Sequence, residues 1–172
     1  ARPIPQCGTW SLAAPLPKIT SLMPPRIISN TEIQTALRSV HSLGAMEAAF
    51  AAYSEGRAVV PPVGELLFED PPGDAHIKYG YVRGGEHFLV KVASGFYKNP
   101  EIGLPSSSGL MLLFEQRTGA PKAVLLDDGL LTDVRTAAAG ATAAKHLARS
   151  GVERIGIVGA GIQARLQLNH IA

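Results

Sequence analysis

Val152-Glu153-Arg154-Ile155-Gly156-Ile157-Val158 runs directly into Gly159-Ala160-Gly161-Ile162-Gln163-Ala164. An apolar, β-branched run, a glycine turn and a helix start follow one another here in the G-x-G-x-x-A form of the dinucleotide fingerprint. Gly159 permits the tight turn, and Gly161 lets a pyrophosphate approach the backbone. Ala164 keeps the helix close to the strand. The helix that opens at Ile162 and Gln163 offers unpaired N–H groups and a partial positive charge to phosphates. In a chain with 18 glycines such a match also arises by chance. Its flanks give it weight: a strand-like run before it, and Leu166, Leu168 and Ile171 after it. A dinucleotide is therefore the expected cofactor. The acid that reads its ribose lies about 20 residues past the glycines, beyond Ala172, so the motif does not say which dinucleotide. Residues 151–172 are expected to be the start of a truncated Rossmann domain. The 172-residue chain is expected to be a fragment, and inactive by itself.

Upstream, residues 27–150 read as a separate α+β domain. Ser29-Asn30-Thr31-Glu32 is a capping box opening a helix through Ile33, Leu37 and Val40. A second helix is expected from Ala45 to Gly56. Beyond Pro61-Pro62, strands are expected at 64–68, 76–82, 87–93, 109–114 and 123–126, with turns at Pro71-Pro72-Gly73-Asp74, Arg83-Gly84-Gly85-Glu86 and Arg117-Thr118-Gly119-Ala120. Such short connections predict a mostly antiparallel sheet, so the chain is placed in the α/β class. Thr132 or Asp133 is expected to cap a helix to about Ala148. Its small-sided middle, Ala137-Ala138-Ala139-Gly140-Ala141, suits tight helix packing or a closely approaching cofactor.

Composition excludes several classes. Sixteen basic and fourteen acidic residues give a net charge of +2, without a basic cluster, and aromatics make up only 6%; nucleic acid is not the expected partner. No run approaches the roughly 18 uncharged apolar residues of a membrane span. The single cysteine, Cys7, rules out a disulfide framework or a cysteine-based zinc site, and a cytoplasmic location fits. No histidine pair has metal-ligand spacing, and no G-x-S-x-G elbow marks a serine hydrolase. Residues 1–26 contain Arg2, Lys18 and Arg26 and no acid; they read as a disordered extension, or as sequence upstream of a start at Met23, rather than as an amphipathic transit peptide.

Two residues stand out by their surroundings. Lys91, in Phe88-Leu89-Val90-Lys91-Val92-Ala93, shares a strand face with Leu89 and Ala93. It is either a costly central ammonium with a chemical role or an edge residue reaching water. Arg135 lies in the first turn of a helix, against the dipole; a bound anion explains it, and so does an ion pair to Asp128 or Asp133. His76 and Lys78 share one strand face and could reach a carboxylate, although a solvated face accounts for them too.

Lys91-Val92-Ala93-Ser94-Gly95, Leu104-Pro105-Ser106-Ser107-Ser108-Gly109, Leu131-Thr132-Asp133-Val134-Arg135-Thr136-Ala137-Ala138 and the glycine loop, in this order, resemble the ornithine cyclodeaminase/mu-crystallin family across residues 27–172. The resemblance implies a homodimeric, NAD(P)-dependent enzyme acting on a small amino-acid or imine substrate. Its chemistry would be hydride transfer through an imine, as a cyclodeaminase (lyase) or an imine reductase; the crystallin branch implies a non-catalytic binding protein instead. Position by position, Lys91 matches the lysine that holds substrate and assists proton transfer. Arg135 matches an arginine near cofactor phosphates and substrate carboxylate, followed by Thr136. Ser107 matches a small hydroxyl residue at the cofactor, and Gly159, Gly161, Ile162, Gln163 and Ala164 match the pyrophosphate loop. One departure bears on substrate. Where many members carry an arginine after the paired prolines, this chain has Val63-Gly64-Glu65. Glu65 would favour an amine or hydroxyl, leaving the carboxylate to Lys78 or Arg135. The family's catalytic aspartate of the second domain has no counterpart.

Overall fold

A computed structural model describes residues 23–171; the expectations for residues 1–22 lie outside them. The first element is β1 (Arg26–Ile28), beginning one residue before the expected start of the domain, with Arg26 paired in parallel to Ala123. Helix α1 (Asn30–Leu37) carries the full capping box: the Ser29 hydroxyl accepts from the Glu32 N–H, and the Glu32 carboxylate accepts from the Ser29 N–H at 2.8 Å. It ends three residues before Val40, which lies exposed in the following turn. Helix α2 (Ser42–Ser54) begins earlier than Ala45, since the Ala45 N–H already donates to the His41 carbonyl.

The sheet consists of β2 (Ala58–Val59), β3 (Gly64–Glu69), β4 (Pro72–Val82), β5 (His87–Phe96), β6 (Ser107–Glu115) and β7 (Pro121–Leu125), with β1 added at one edge. Its order is β1-β7-β6-β5-β4-β2, with β3 also paired to β4. Every pairing but β1 with β7 is antiparallel. The expected mostly antiparallel sheet is present, with two strands more than the five read from sequence. Strands β4, β5 and β6 run longer than their apolar cores suggest, since ladder hydrogen bonds continue through polar and small residues. The first turn accordingly shrinks to Asp70-Pro71, and Pro72, Gly73 and Asp74 belong to β4.

Helix α3 (Leu130–Leu147) packs against α2 and against the helix that follows it, and its first turn meets the sheet at Lys91. Neither Thr132 nor Asp133 caps it. Gly129 holds the cap position with φ 85°, and the Asp127 carboxylate, from two residues earlier, accepts from the Leu131 N–H at 3.0 Å. Ala137, Ala138 and Ala141 of α3 are buried, as are Met111 and Ala123 of the sheet. Helix α4 (Ile162–Ile171) packs on α3 so closely that a Cβ on Gly140 would lie 2.6 Å from the Gln167 side chain. The small middle of α3 thus serves helix packing. Residues 152–158 form no strand and join no sheet among the described residues, contrary to the expected strand. A strand exists through its ladder, and the parallel ladder of a nucleotide domain needs a second strand after the crossover.

Candidate functional site

β5 lies between β4 and β6, so Lys91 is a central residue and the edge-strand reading falls. Antiparallel register places Lys78 of β4 and Met111 of β6 directly opposite it. One step along the same face, Glu65, His76, Ala93 and Gly109 form a second row, and Leu67, Asp74, Gly95 and Ser107 a third. All the polar sheet residues singled out from sequence therefore share one face, the face that the first turn of α3 meets at Lys91. Gly109 has to be glycine there, because an added Cβ would stand 2.5 Å from the Val92 carbonyl oxygen.

Lys91 is half-buried and donates from Nζ to the Thr132 hydroxyl in the first turn of α3. Burial pushes its ammonium below the ordinary lysine range; the Arg135 and Lys78 cations push the same way, and Asp127 and Asp133 oppose them. Among the described residues no carboxylate forms an ion pair with Lys78, Lys91 or Arg135. This removes the ion-pair explanation for Arg135. Asp133 is engaged elsewhere: its carboxylate accepts from Gln163 Nε2 at 2.9 Å. Thr136 turns its hydroxyl back to the Thr132 carbonyl at 2.7 Å.

Beside Thr132 and Asp133 opens a cleft of about 210 Å³, whose walls include Asp74, His76, Ser107 and Tyr97. His76 lies between two carboxylates, with Nδ1 3.7 Å from Glu65 and Nε2 3.4 Å from Asp74. Asp74 also accepts from the Tyr97 hydroxyl at 2.8 Å, which holds that phenol above its usual range. Sequence reasoning set His76 aside and missed Asp74, Tyr97, Thr132 and Asp127 as site residues. Asp74 looked like a turn residue and Thr132 like a helix cap. The one legible signal for Asp127 was the Asp127-Asp128-Gly129 cluster ahead of a helix.

The glycine loop fits a dinucleotide. Gly159 has φ 104°, and a Cβ built on Gly156, Gly159 or Gly161 meets nothing within 4 Å, so the loop borders open space. The Arg165 N–H donates to the Gly161 carbonyl at 3.3 Å as α4 begins, which leaves the preceding N–H groups as anion donors. The Gln163 side chain docks on α3, and its Oε1 is buried without a partner. Its backbone N–H therefore remains the part of Gln163 suited to the loop, beside those of Ile162 and Ala164. Through Asp133 and Gln163, the loop helix is tied to the helix turn that meets Lys91.

Several known proteins are similar to this chain. The chain is 50% identical over 123 residues to an uncharacterized cyclodeaminase of Sinorhizobium fredii, covering 71% of this chain and 37% of that protein. An archaeal alanine dehydrogenase dimer solved with NAD superposes with a TM-score of 0.76 at 33% identity, covering 86% of this chain and 44% of that one. The Δ1-pyrroline-2-carboxylate reductase of Thermococcus litoralis, solved with NADH and L-proline, gives a TM-score of 0.78 at 33% identity, covering 85% and 45%. The chain thus spans less than half the length of these relatives. No helix among the described residues is long and apolar enough to cross a membrane. The model of the ornithine cyclodeaminase/mu-crystallin family matches residues 24–172, and the chain belongs to that family.

Proposed function

We propose that this chain carries the substrate-binding part, residues 27–150, and the opening of the NAD(P)-binding part, residues 151–172, of an enzyme interconverting a small amino acid and its imine. One observation carries the reading. The hydrogen-bond path Lys91–Thr132, then Asp133–Gln163, joins an unpaired, half-buried ammonium to a dinucleotide loop. The relatives with bound NAD and NADH support the cofactor.

NAD(P) would be held at its pyrophosphate by Gly159, Gly161 and the N–H groups of Ile162, Gln163 and Ala164, with Ser107, Arg135 and Thr136 along its edge, and its nicotinamide would supply the hydride chemistry. The chain's own residues handle charge and protons. Arg135, lacking a carboxylate partner among the described residues, holds the substrate carboxylate. Lys91, with its proton affinity lowered, moves a proton at the substrate nitrogen as amine and imine interconvert. Glu65, beside His76 on the same face, accepts from an amine or hydroxyl at the substrate's far end. Both a cyclodeaminase, which returns its hydride, and an imine reductase, which consumes NAD(P)H, are served by this set.

The opposite sheet face exposes Leu66, Phe68, Ile77, Tyr79 and Tyr81. An apolar face of this extent calls for a partner. A homodimer formed on it accords with the dimeric alanine dehydrogenase.

Calorimetry with NAD(H) and NADP(H), beside a Gly161→Val control, tests the loop. Amino-acid oxidation and cyclic-imine reduction by the intact protein, followed by nicotinamide absorbance, test the reaction. The expected result is cofactor binding lost in Gly161→Val, and turnover lost in Lys91→Ala with cofactor binding retained. Undiminished turnover in Lys91→Ala would overturn the assignment.

A further inference from the structure

Lys78 and Lys91 are a direct cross-strand pair of like charges on one sheet face. Such pairs are unfavourable and are ordinarily relieved by register or by a neighbouring acid. Relief is partial here: Asp127 and Asp133 favour the Lys91 charge, but among the described residues neither lysine forms an ion pair. The Lys91 partner on its other side is Met111, and the only charged groups of α3 and its preceding loop acting on it are Arg135, Asp133 and Asp127. Asp133 is bonded to Gln163, and Asp127 to the start of α3. Lys78 is exposed, so nothing in the packing forces its charge to stay opposite Lys91. On β4 the remaining nearby titratable group, His76, is occupied by Glu65 and Asp74.

We propose that Lys78 is a positioning residue that acts through Lys91, its charge across the strand keeping the Lys91 amine ready to release and regain a proton. This deepens the functional reading above and rests on Lys91 as the proton carrier. The effect is purely electrostatic, so any cation at 78 supplies it and any neutral residue abolishes it. The lowered proton affinity of Lys91, caused first by burial, then by Arg135 and Lys78, agrees in direction.

The test is competitive acetylation of this chain with acetic anhydride across pH. Peptide mass spectrometry follows Lys91, with exposed Lys98 as the internal reference. The wild type is expected to show a Lys91 midpoint below that of Lys98. Lys78→Met and Lys78→Gln should raise the Lys91 midpoint by about half a pH unit, the worth of a unit charge roughly 6–8 Å away in a water-like dielectric. Lys98 should not move. Lys78→Arg should leave Lys91 at the wild-type value, and added salt should shrink the difference. Circular dichroism confirms that each variant is folded. An unmoved Lys91 midpoint in both neutral variants, or an equal rise in Lys78→Arg, refutes the proposal. Because labelling reads protonation and not turnover, that failure is distinct from unaffected turnover in Lys91→Ala, which would sink the enzymatic reading instead.

Discussion

Asp127 is the residue on which the geometry of the site turns, and Asp127→Ala is the perturbation that exposes it. The side chain is almost completely buried, at 1% exposure, and its carboxylate accepts from the Leu131 N–H at 3.0 Å. Its backbone carbonyl accepts from Asn30 Nδ2 at 2.8 Å, tying α1 to the start of α3. Alanine keeps the carbonyl and removes the carboxylate. Losing the acceptor at a helix start costs about 1 kcal/mol, and losing the negative charge beside the helix N-terminus roughly 0.3–1 kcal/mol. The vacated volume and the part-buried Leu131 N–H left without its acceptor add to this, for a total of about 2 kcal/mol. With a urea slope near 2 kcal/mol/M, the midpoint of denaturation should fall by about 1 M. Asp127→Asn retains an acceptor and should lose less than half as much. It also removes an anion that supports the Lys91 charge, so acetylation should show the Lys91 midpoint lowered further. An unchanged urea midpoint in Asp127→Ala would refute the claim that this carboxylate holds the first turn of α3, and with it Thr132 and Asp133, in place.

Three more outcomes are expected. Lys91 is held below its ordinary range in the fold, so between its folded and unfolded values the unfolded chain binds more protons and stability rises with pH. Lys91→Met should therefore raise the stability measured in urea at neutral pH, by roughly 0.5–1 kcal/mol, and flatten that rise, while turnover of the intact protein falls by about 10²–10⁴. Glu32, Glu47 and Glu115 are held below the usual carboxylate range, first by their hydrogen bonds to Ser29, Lys145 and Thr118 respectively. Their contribution to stability is complete above the ordinary glutamate value and is lost as pH falls through the lowered ones. Acid titration of Glu32→Gln by circular dichroism should accordingly show a shallower loss than the parent. Tyr79→Glu, on the uncovered sheet face, should turn a dimer into a monomer by light scattering; a dimer that survives it would place the interface elsewhere.

Much of the molecule was legible as pattern. The capping box at Ser29, the alternation around Lys91 and the glycine turn at 159–161 are local signals, written in residues a few positions apart, and each local geometry follows from them. The family resemblance is equally a matter of residues in order. Position in the sheet is different in kind. Whether Lys91 lay on an edge or at the centre depended on which strands flank β5, and that depends on ladders to β4 and β6 that local pattern does not record. The pairing of Lys78 with Lys91 is a fact of register, which a one-residue slip would reverse by turning one side chain to the other face. Residues 152–158 show the converse case. Their composition is that of a strand, but with no neighbour to pair with among the described residues they form none. Asp127 looked like one of two acids in a loop until burial singled it out. The sequence alone determined which elements and which chemical groups this protein has. The tertiary structure decided which of those groups face one another, because like and unlike charges change proton affinity and bind anions only at short range, across contacts that chain order does not record.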